Sequence, residues 1–332
     1  MRTVRRCAGM AAIALLAGMV LGPGAQAAMT QATIVGAGKG AGAFRQAGAI
    51  AEVVNKESKA VKMTNQETAG FVANTRMLAN SRVEFALTNG VFVDSIQRKI
   101  APFAKDKEAT NLRGVGPMTS SWFQMAVLAD GPIKSYMDLK GKRVSMGPKG
   151  SNTVYMTEVI LETLGILGSV RKDYLKWDDA ATYVVDGKLD AFGIPNPLPS
   201  PSILQAAQSR PVRILDLPDK VINKFISISK GYYKDTVDVS VYQGMEKKKI
   251  ATVAYGVFLT AHDKVPAEVV YEVTRHFYDP KNRDFIVNAY KPLREALDNA
   301  KNDRFLANMK AFGLKLHPGA ARYWKEKNFN VN

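Results

Sequence analysis

Leu139–Ile166 reads LKGKRVSMGPKGSNTVYMTEVILETLGI, and its grammar decides the fold. Val144–Met146 has the apolar character of a short strand. Gly147 and Gly150 bracket a tight turn, and Ser151 or Asn152 can cap the helix that follows. Val154, Ile160, Leu161 and Leu164 recur at helical spacing until Gly165 stops the run. A strand that turns through glycine into a helix leaves backbone N–H groups facing open space, where they can hold an anion. The same order occurs at Thr33–Asn55, TIVGAGKGAGAFRQAGAIAEVVN. Two such half-sites far apart in one chain predict two α/β lobes facing one ligand.

Length and composition agree with this. A chain of 332 residues is long enough for more than one core. A hydrophobic content of 46% excludes a disordered or fibrous protein. Arg2, Arg5 and Arg6 precede the apolar run Cys7–Leu21, and Ala25-Gln26-Ala27 is a small-x-small cleavage pattern. The run falls short of the roughly 20 residues of a membrane span. The prediction is a signal peptide over 1–27 and a soluble, monomeric protein in the periplasm. The single cysteine, Cys7, lies inside that leader, so the mature chain has no disulfide, thiolate metal site or cysteine nucleophile.

The formal charge is +16, three units of it from the leader arginines. Basic residues such as Lys172, Lys176 and Lys247–Lys249 are scattered, with no helix-turn-helix or aromatic-interleaved stripe, which excludes nucleic acid as the partner. What remains is a basic solvated surface that can draw an acidic solute toward a cleft. His262, His276 and His317 are the only histidines, and none stands at metal-ligand spacing from another. No Ser–His–Asp set is evident, so neither catalysis, a metal nor a cofactor is expected. The glycines of Gly36–Gly42 have the look of a dinucleotide fingerprint, but no acidic residue closes a second strand at the required distance.

Along the chain, strands are predicted at Ala32–Val35, Val61–Thr64 and Val83–Asn89, alternating with helices and therefore parallel. Asn111–Pro117 and Trp122–Ala129 are extended, with a lobe boundary near Trp122–Leu128. A new strand is expected to begin within Ser135–Leu139. Four prolines in Ile194–Pro201 bar a helix there. Val212–Leu217 reads as a strand, and Ile250–Thr260 as a second crossing. Helices follow at Ala267–Tyr278, from Asp284 onward, and over Leu293–Phe312. Lobe one is thus 28–124 with 258–332, and lobe two 125–257, joined by a two-strand hinge.

Several motifs together carry a family resemblance. They are Ile34–Gly42 with its helix Gly48–Asn55, Val144–Thr153 with Leu164-Gly165-Ile166, Asp186–Phe192, Val269-Val270-Tyr271, and the terminal Leu316-His317-Pro318-Gly319-Ala320-Ala321-Arg322-Tyr323-Trp324-Lys325-Glu326. In this order and spacing the chain resembles the TAXI family, the extracytoplasmic solute receptors of TRAP-type transporters. The resemblance implies an α/β, two-lobed periplasmic-binding-protein fold of the second type. It also implies capture of a small anionic organic solute and delivery to an integral-membrane TRAP permease driven by an ion gradient. Family ligands include glutamate, dicarboxylates and 2-oxo acids. Where the family has G-x-G-S-T-G-G-T-Y-Y, this chain has Gly36-Ala37-Gly38-Lys39-Gly40-Ala41-Gly42-Ala43-Phe44-Arg45, exchanging hydroxyls for alanine and adding two cations.

The candidate ligand contacts follow from the strand exits. In the first loop they are Gly38, Lys39, Gly40, Phe44 and Arg45, the two cations pairing with a carboxylate or lying in solvent. Gln66, Thr68, Thr88 and Asn89 stand at the next two exits and serve either a solute or their own turns. In lobe two, Lys149, Gly150, Ser151, Asn152 and Thr153 offer N–H groups and short donors, and Asn196 can reach the cleft from the proline loop. Asp190 is read as structural, His317 as capping or packing a helix, and Trp122 and Phe192 as either cleft walls or ordinary packing.

Overall fold

The computed structural model describes residues 29–242, 245 and 248–331. The expected leader over 1–27 lies outside the described residues. The chain opens with three β–α units: β1 (Thr30–Val35), α1 (Gly42–Glu57), β2 (Val61–Gln66), α2 (Phe71–Ala79), β3 (Phe85–Asn89) and α3 (Gly90–Gln97). β1 lies between β2 and β3 and is parallel to both, as the alternating pattern predicted. Asn74 of α2 is fully buried and donates to the carbonyls of Gly36, at 2.6 Å, and Leu87, at 2.9 Å. One amide thereby fixes the first glycine loop against the exit of β3.

β4 (Leu112–Leu128) then runs unbroken through both segments read as extended, including the expected lobe boundary. A second set of units follows: β5 (Arg143–Ser145), α4 (Asn152–Thr163), β6 (Arg171–Asp173), α5 (Trp177–Val185), β7 (Ala191–Asn196), α6 (Pro201–Ser209), β8 (Val212–Ile214), α7 (Asp219–Ile228) and β9 (Tyr233–Asp238). β5 is parallel to β6 and β7. β10 (Lys249–His262) returns antiparallel to β4. Its Lys249–Ala254 half pairs with β9, and its Val257–Ala261 half with β3. Each long strand therefore belongs to both lobes, and the sheet order is β2-β1-β3-β10-β4-β7-β5-β6. This is a two-lobed α/β fold of the second periplasmic-binding type. We take the switch of partners along β10 as the lobe boundary.

α8 (Ala267–Tyr278), α9 (Arg283–Ala289), α10 (Leu293–Asn299), α11 (Arg304–Ala311) and α12 (Pro318–Glu326) follow β10. α12 packs on α8 at Gly319, where any Cβ would collide with the Ala267 carbonyl. His317 caps α12, its Nδ1 accepting from Gly319 N–H at 3.2 Å, one of the two roles read for it. Asp190 is likewise structural: its carboxylate accepts from the backbone N–H and the guanidinium of Arg143.

Two expectations fail for local reasons. Ser135–Leu139 does not begin a strand. Tyr136–Leu139 is a single 3-10 turn, because the Asp138 carboxylate accepts from Ser135 N–H, Ser135 Oγ and Lys134 N–H and closes a capping box. Leu293–Phe312 is not one helix but α10 and α11, parted at a polar Lys301-Asn302-Asp303 break where Asn302 Oδ1 accepts from Arg304 N–H. The reading also passed over α3, α6, α7 and β9, which are short and whose signals overlap with turns.

Candidate functional site

The loops at the strand exits of both lobes meet along one seam, and Trp177 is wedged into it. It is 3% exposed, and its Nε1 donates to Thr153 Oγ1 at 3.2 Å. A Cβ built on Gly38 would lie 3.5 Å from that ring, and one on Gly40 only 2.6 Å from Asp178 N. At Gly40 no larger residue lets the two sides approach this closely, whereas at Gly36 a Cβ would strike the Ala43 carbonyl of the same loop.

Lobe two supplies acceptors to the helix starts of lobe one. α1 has no side-chain cap of its own, and Gly42 N–H donates instead to Asn196 Oδ1 at 3.0 Å. In the first turn of α2, Ala73 N–H donates to the Gly150 carbonyl at 3.1 Å. Gly150 can present that carbonyl because its φ of +85° suits glycine. At the rim, Lys176 Nζ pairs with Glu67 Oε1 at 3.4 Å. Of the two helix starts predicted to hold an anion, that of α1 thus gives its Gly42 N–H to an oxygen of the opposite lobe, while that of α4 gives Val154 N–H to its own Ser151 Oγ.

Inside the seam is a residual cavity of about 10 Å³, room for about one water. Its walls include Gln46, Phe71, Ser121, Asn152, Trp177 and Asn196, and no charged side chain lines it. Gln46 is fully buried; its Oε1 accepts from Thr119 Oγ1 at 3.3 Å, while its Nε2 has no partner. Leaving such a donor unmatched costs roughly 1–3 kcal/mol. Asn152 Nδ2 donates to Tyr255 OH at 2.6 Å, and Asn196 Nδ2 to Ser200 Oγ at 2.9 Å. Burial pushes the Tyr255 hydroxyl far above the usual tyrosine range, so it stays neutral.

Of the residues singled out in the sequence, the structure brings Gly38, Gly40, Asn152, Thr153 and Asn196 together around Trp177, while Gly150 meets Ala73 of α2. Ser151 caps α4, its Oγ accepting from Val154 N–H at 3.2 Å. Lys39 and Arg45 are exposed and line a separate outer groove of about 520 Å³, alongside Asp178, Gln205 and Tyr290. Phe44 is half-buried, and its carbonyl accepts from Asn65 Nδ2. Gln66 is exposed at the end of β2. Thr68 serves its turn, donating to Asn74 Oδ1 at 2.6 Å and accepting from Gly70 N–H. Thr88 is buried, its Oγ1 2.7 Å from Thr75 Oγ1. Asn89 caps α3 through Oδ1, while its buried Nδ2 is unpartnered. Lys149 is exposed, its Nζ 5.2 Å from the centre of the Tyr174 ring.

The sequence reading missed Gln46, Phe71, Ser121, Trp177 and Tyr255. Gln46 had a legible signal, a lone amide among small apolar residues in the helix after the glycine loop. Trp122 does not wall the cleft: its Nε1 donates to Asp235 Oδ2 at 2.8 Å on β9.

Among solved structures, the chain is similar to one described as a periplasmic transporter, with 14% identity, 92% of this chain and 98% of that chain covered, and a TM-score of 0.53. It is also similar to a protein from Bordetella bronchiseptica RB50, with 16% identity, 91% of each chain covered and a TM-score of 0.49. A third similarity is to the periplasmic aliphatic sulphonate-binding protein SsuA of Escherichia coli, with 18% identity, 90% and 84% covered and a TM-score of 0.41. At these identities the likeness concerns the fold. The family model described as NMT1-like matches residues 34–327, so the chain belongs to the NMT1-like family.

Proposed function

We propose that the protein is an extracytoplasmic solute receptor whose lobes close over a small polar molecule and hand it to a membrane transporter. The single observation carrying this reading is the cavity shut between the lobes, lined from both, with the Gln46 Nε2 donor buried and unmatched on its wall. Capture of this kind needs no chemistry, and among the described residues no group of three or more His, Cys, Asp or Glu could hold a metal. Opening admits the solute; closure then gains contacts to both lobes at once, and the bound form is populated by that difference. In the closed seam each polar contact is shielded from water and strengthened.

In its finer form, the reading is a TRAP-type receptor for a small carboxylate: a dicarboxylate, a 2-oxo acid or an acidic amino acid. Support for it comes from the helix starts. A carboxylate oxygen displacing Asn196 Oδ1 or the Gly150 carbonyl would meet Gly42 N–H or Ala73 N–H at the favourable end of a helix dipole. A second reading, a neutral amino acid or amide, is favoured by the absence of charged side chains around the inner cavity and by the position of Lys39 and Arg45 in the outer groove.

The experiment is to release co-purifying small molecules by unfolding, identify them by mass, and titrate candidates calorimetrically. Tight binding of a dicarboxylate or 2-oxo acid supports the finer reading; a neutral ligand indifferent to Lys39→Ala and Arg45→Ala replaces it with the second. Uptake by vesicles carrying the cognate permease, driven by an imposed ion gradient and dependent on the receptor, tests the transport partner.

A further inference from the structure

Side chains alternate along a strand, so the two crossing strands present a different surface on each side. Ser121 of β4 lines the inner cavity, whereas its neighbour Ser120 lines a separate pocket of about 420 Å³. Gly256, opposite Ser120 in the β4–β10 register, lines that second pocket too. Its walls come from both lobes: Lys230 and Tyr233 on one side, Glu295 of α10 and Arg304 of α11 on the other. The volume falls within the range of roughly 300–1,000 Å³ typical of small-molecule sites.

The polar groups there are placed for a ligand. Glu295 Oε1 accepts from Ser120 N–H at 2.9 Å and Ser120 Oγ at 2.7 Å, and Tyr233 OH donates to the same Ser120 Oγ at 3.1 Å. A carboxylate has about four acceptor positions; the Asn299 side chain also bonds Glu295, which has no ion-pair partner among the described residues. Lys230 and Arg304 line the same space and are likewise without one there. A half-buried carboxylate and two cations around one space, none paired with another, leave room for a molecule that carries both charges. Phe258 and Phe312 add an apolar wall.

We propose that this back-of-hinge pocket is a second binding site, for a small zwitterion of the amino-acid class. Its ammonium group lies on Glu295, its carboxylate toward Lys230 and Arg304, and its side chain on the phenylalanines. The site is distinct from the interlobe cleft and does not depend on what the cleft binds, although the naming of its two walls rests on the two-lobed reading.

Three probes of matched skeleton test it by calorimetry on the full mature chain: L-leucine, 3-methylbutylamine and 4-methylpentanoate. Leucine is expected to bind, and the amine and the acid to bind about tenfold or more weakly, since each lacks one charged contact. Gly256→Leu fills the pocket at a position where a Cβ meets nothing within 4 Å. That variant and Glu295→Gln, which keeps an acceptor for Ser120, should each weaken leucine about tenfold or more, while Asn152→Ala in the cleft leaves it within about twofold. Absence of leucine binding, equal binding of the amine or the acid, or binding lost in Asn152→Ala but kept in Gly256→Leu overturns the proposal. The last result would move leucine into the cleft and leave the receptor reading standing.

Discussion

The two faces of the β4–β10 ribbon are built from adjacent residues and behave oppositely. On the cleft side the lobes meet, neutral amides and Trp177 fill the space, and about 10 Å³ is left. On the reverse side about 420 Å³ stays open among charged groups. A hinge ribbon one residue thick separates Ser120 from Ser121, yet one face is satisfied by the opposite lobe and the other is not. The difference teaches that the lobes meet through small residues and backbone donors, whereas charge is kept to the rim of the seam, at Lys176 and Glu67. Burying a charge inside the seam would cost several kcal/mol unless the solute itself paired with it.

The sharpest way to break the comparison is to stop the seam from closing. Gly40→Val would drive a side chain against Asp178 N and Trp177. A clash of this kind costs about 3 kcal/mol, more than a hundredfold in solute affinity. Small-angle scattering should then give the same radius of gyration with and without the cleft solute; a normal contraction would refute the packing argument.

Next in size is Gln46→Leu, which removes the unmatched donor. Because Thr119 Oγ1 loses its acceptor at the same time, the thermal stability of the solute-free protein should change by less than about 1 kcal/mol, while solute affinity falls. If both quantities drop together, Gln46 is structural and not a ligand donor.

Asn196→Ala strips the cap that lobe two lends to α1 through Gly42 N–H. A loss of about 1 kcal/mol is expected, visible as faster hydrogen exchange at Gly42 with exchange in the cores of β1 and β7 unchanged.

The smallest effect belongs to the reverse face. Burial raises the Glu295 carboxyl above the ordinary glutamate range, Asp235 adds to the rise, and the Ser120 hydrogen bonds oppose it. The folded state therefore holds this proton more tightly than the unfolded one. That stabilisation is complete below about pH 4.3, the unfolded value, and is lost as pH rises through the folded value. Glu295→Gln should flatten this part of the stability–pH profile by less than about 1 kcal/mol. An unchanged profile would mean that Glu295 is as well solvated as a surface carboxylate.

Much of this architecture was legible beforehand. Ala267–Tyr278 was predicted at the bounds of α8, and the glycine turns at 36–42 and 147–150 announced both lobes, because glycine and hydrophobic period act within a few residues. The site was legible only in part. Asn152 and Asn196 came from the logic of strand exits, but Lys39 and Arg45 drew attention by their charge and lie in the outer groove. Trp177 carried no local mark of its role, since what it packs against, Gly38 and Gly40, lies far back in the chain.

By itself the sequence determined two α/β units, the parallel pairing of β1, β2 and β3, and the places where backbone donors would be exposed, since each depends on contacts among near neighbours. Only the tertiary structure decided which donors stay free. Gly42 N–H meets Asn196, and Ala73 N–H meets Gly150, across a separation that no local pattern encodes. Which side of the ribbon is sealed and which stays open follows from strand alternation combined with where α10, α11 and β9 come to rest, and that combination exists only in the folded chain.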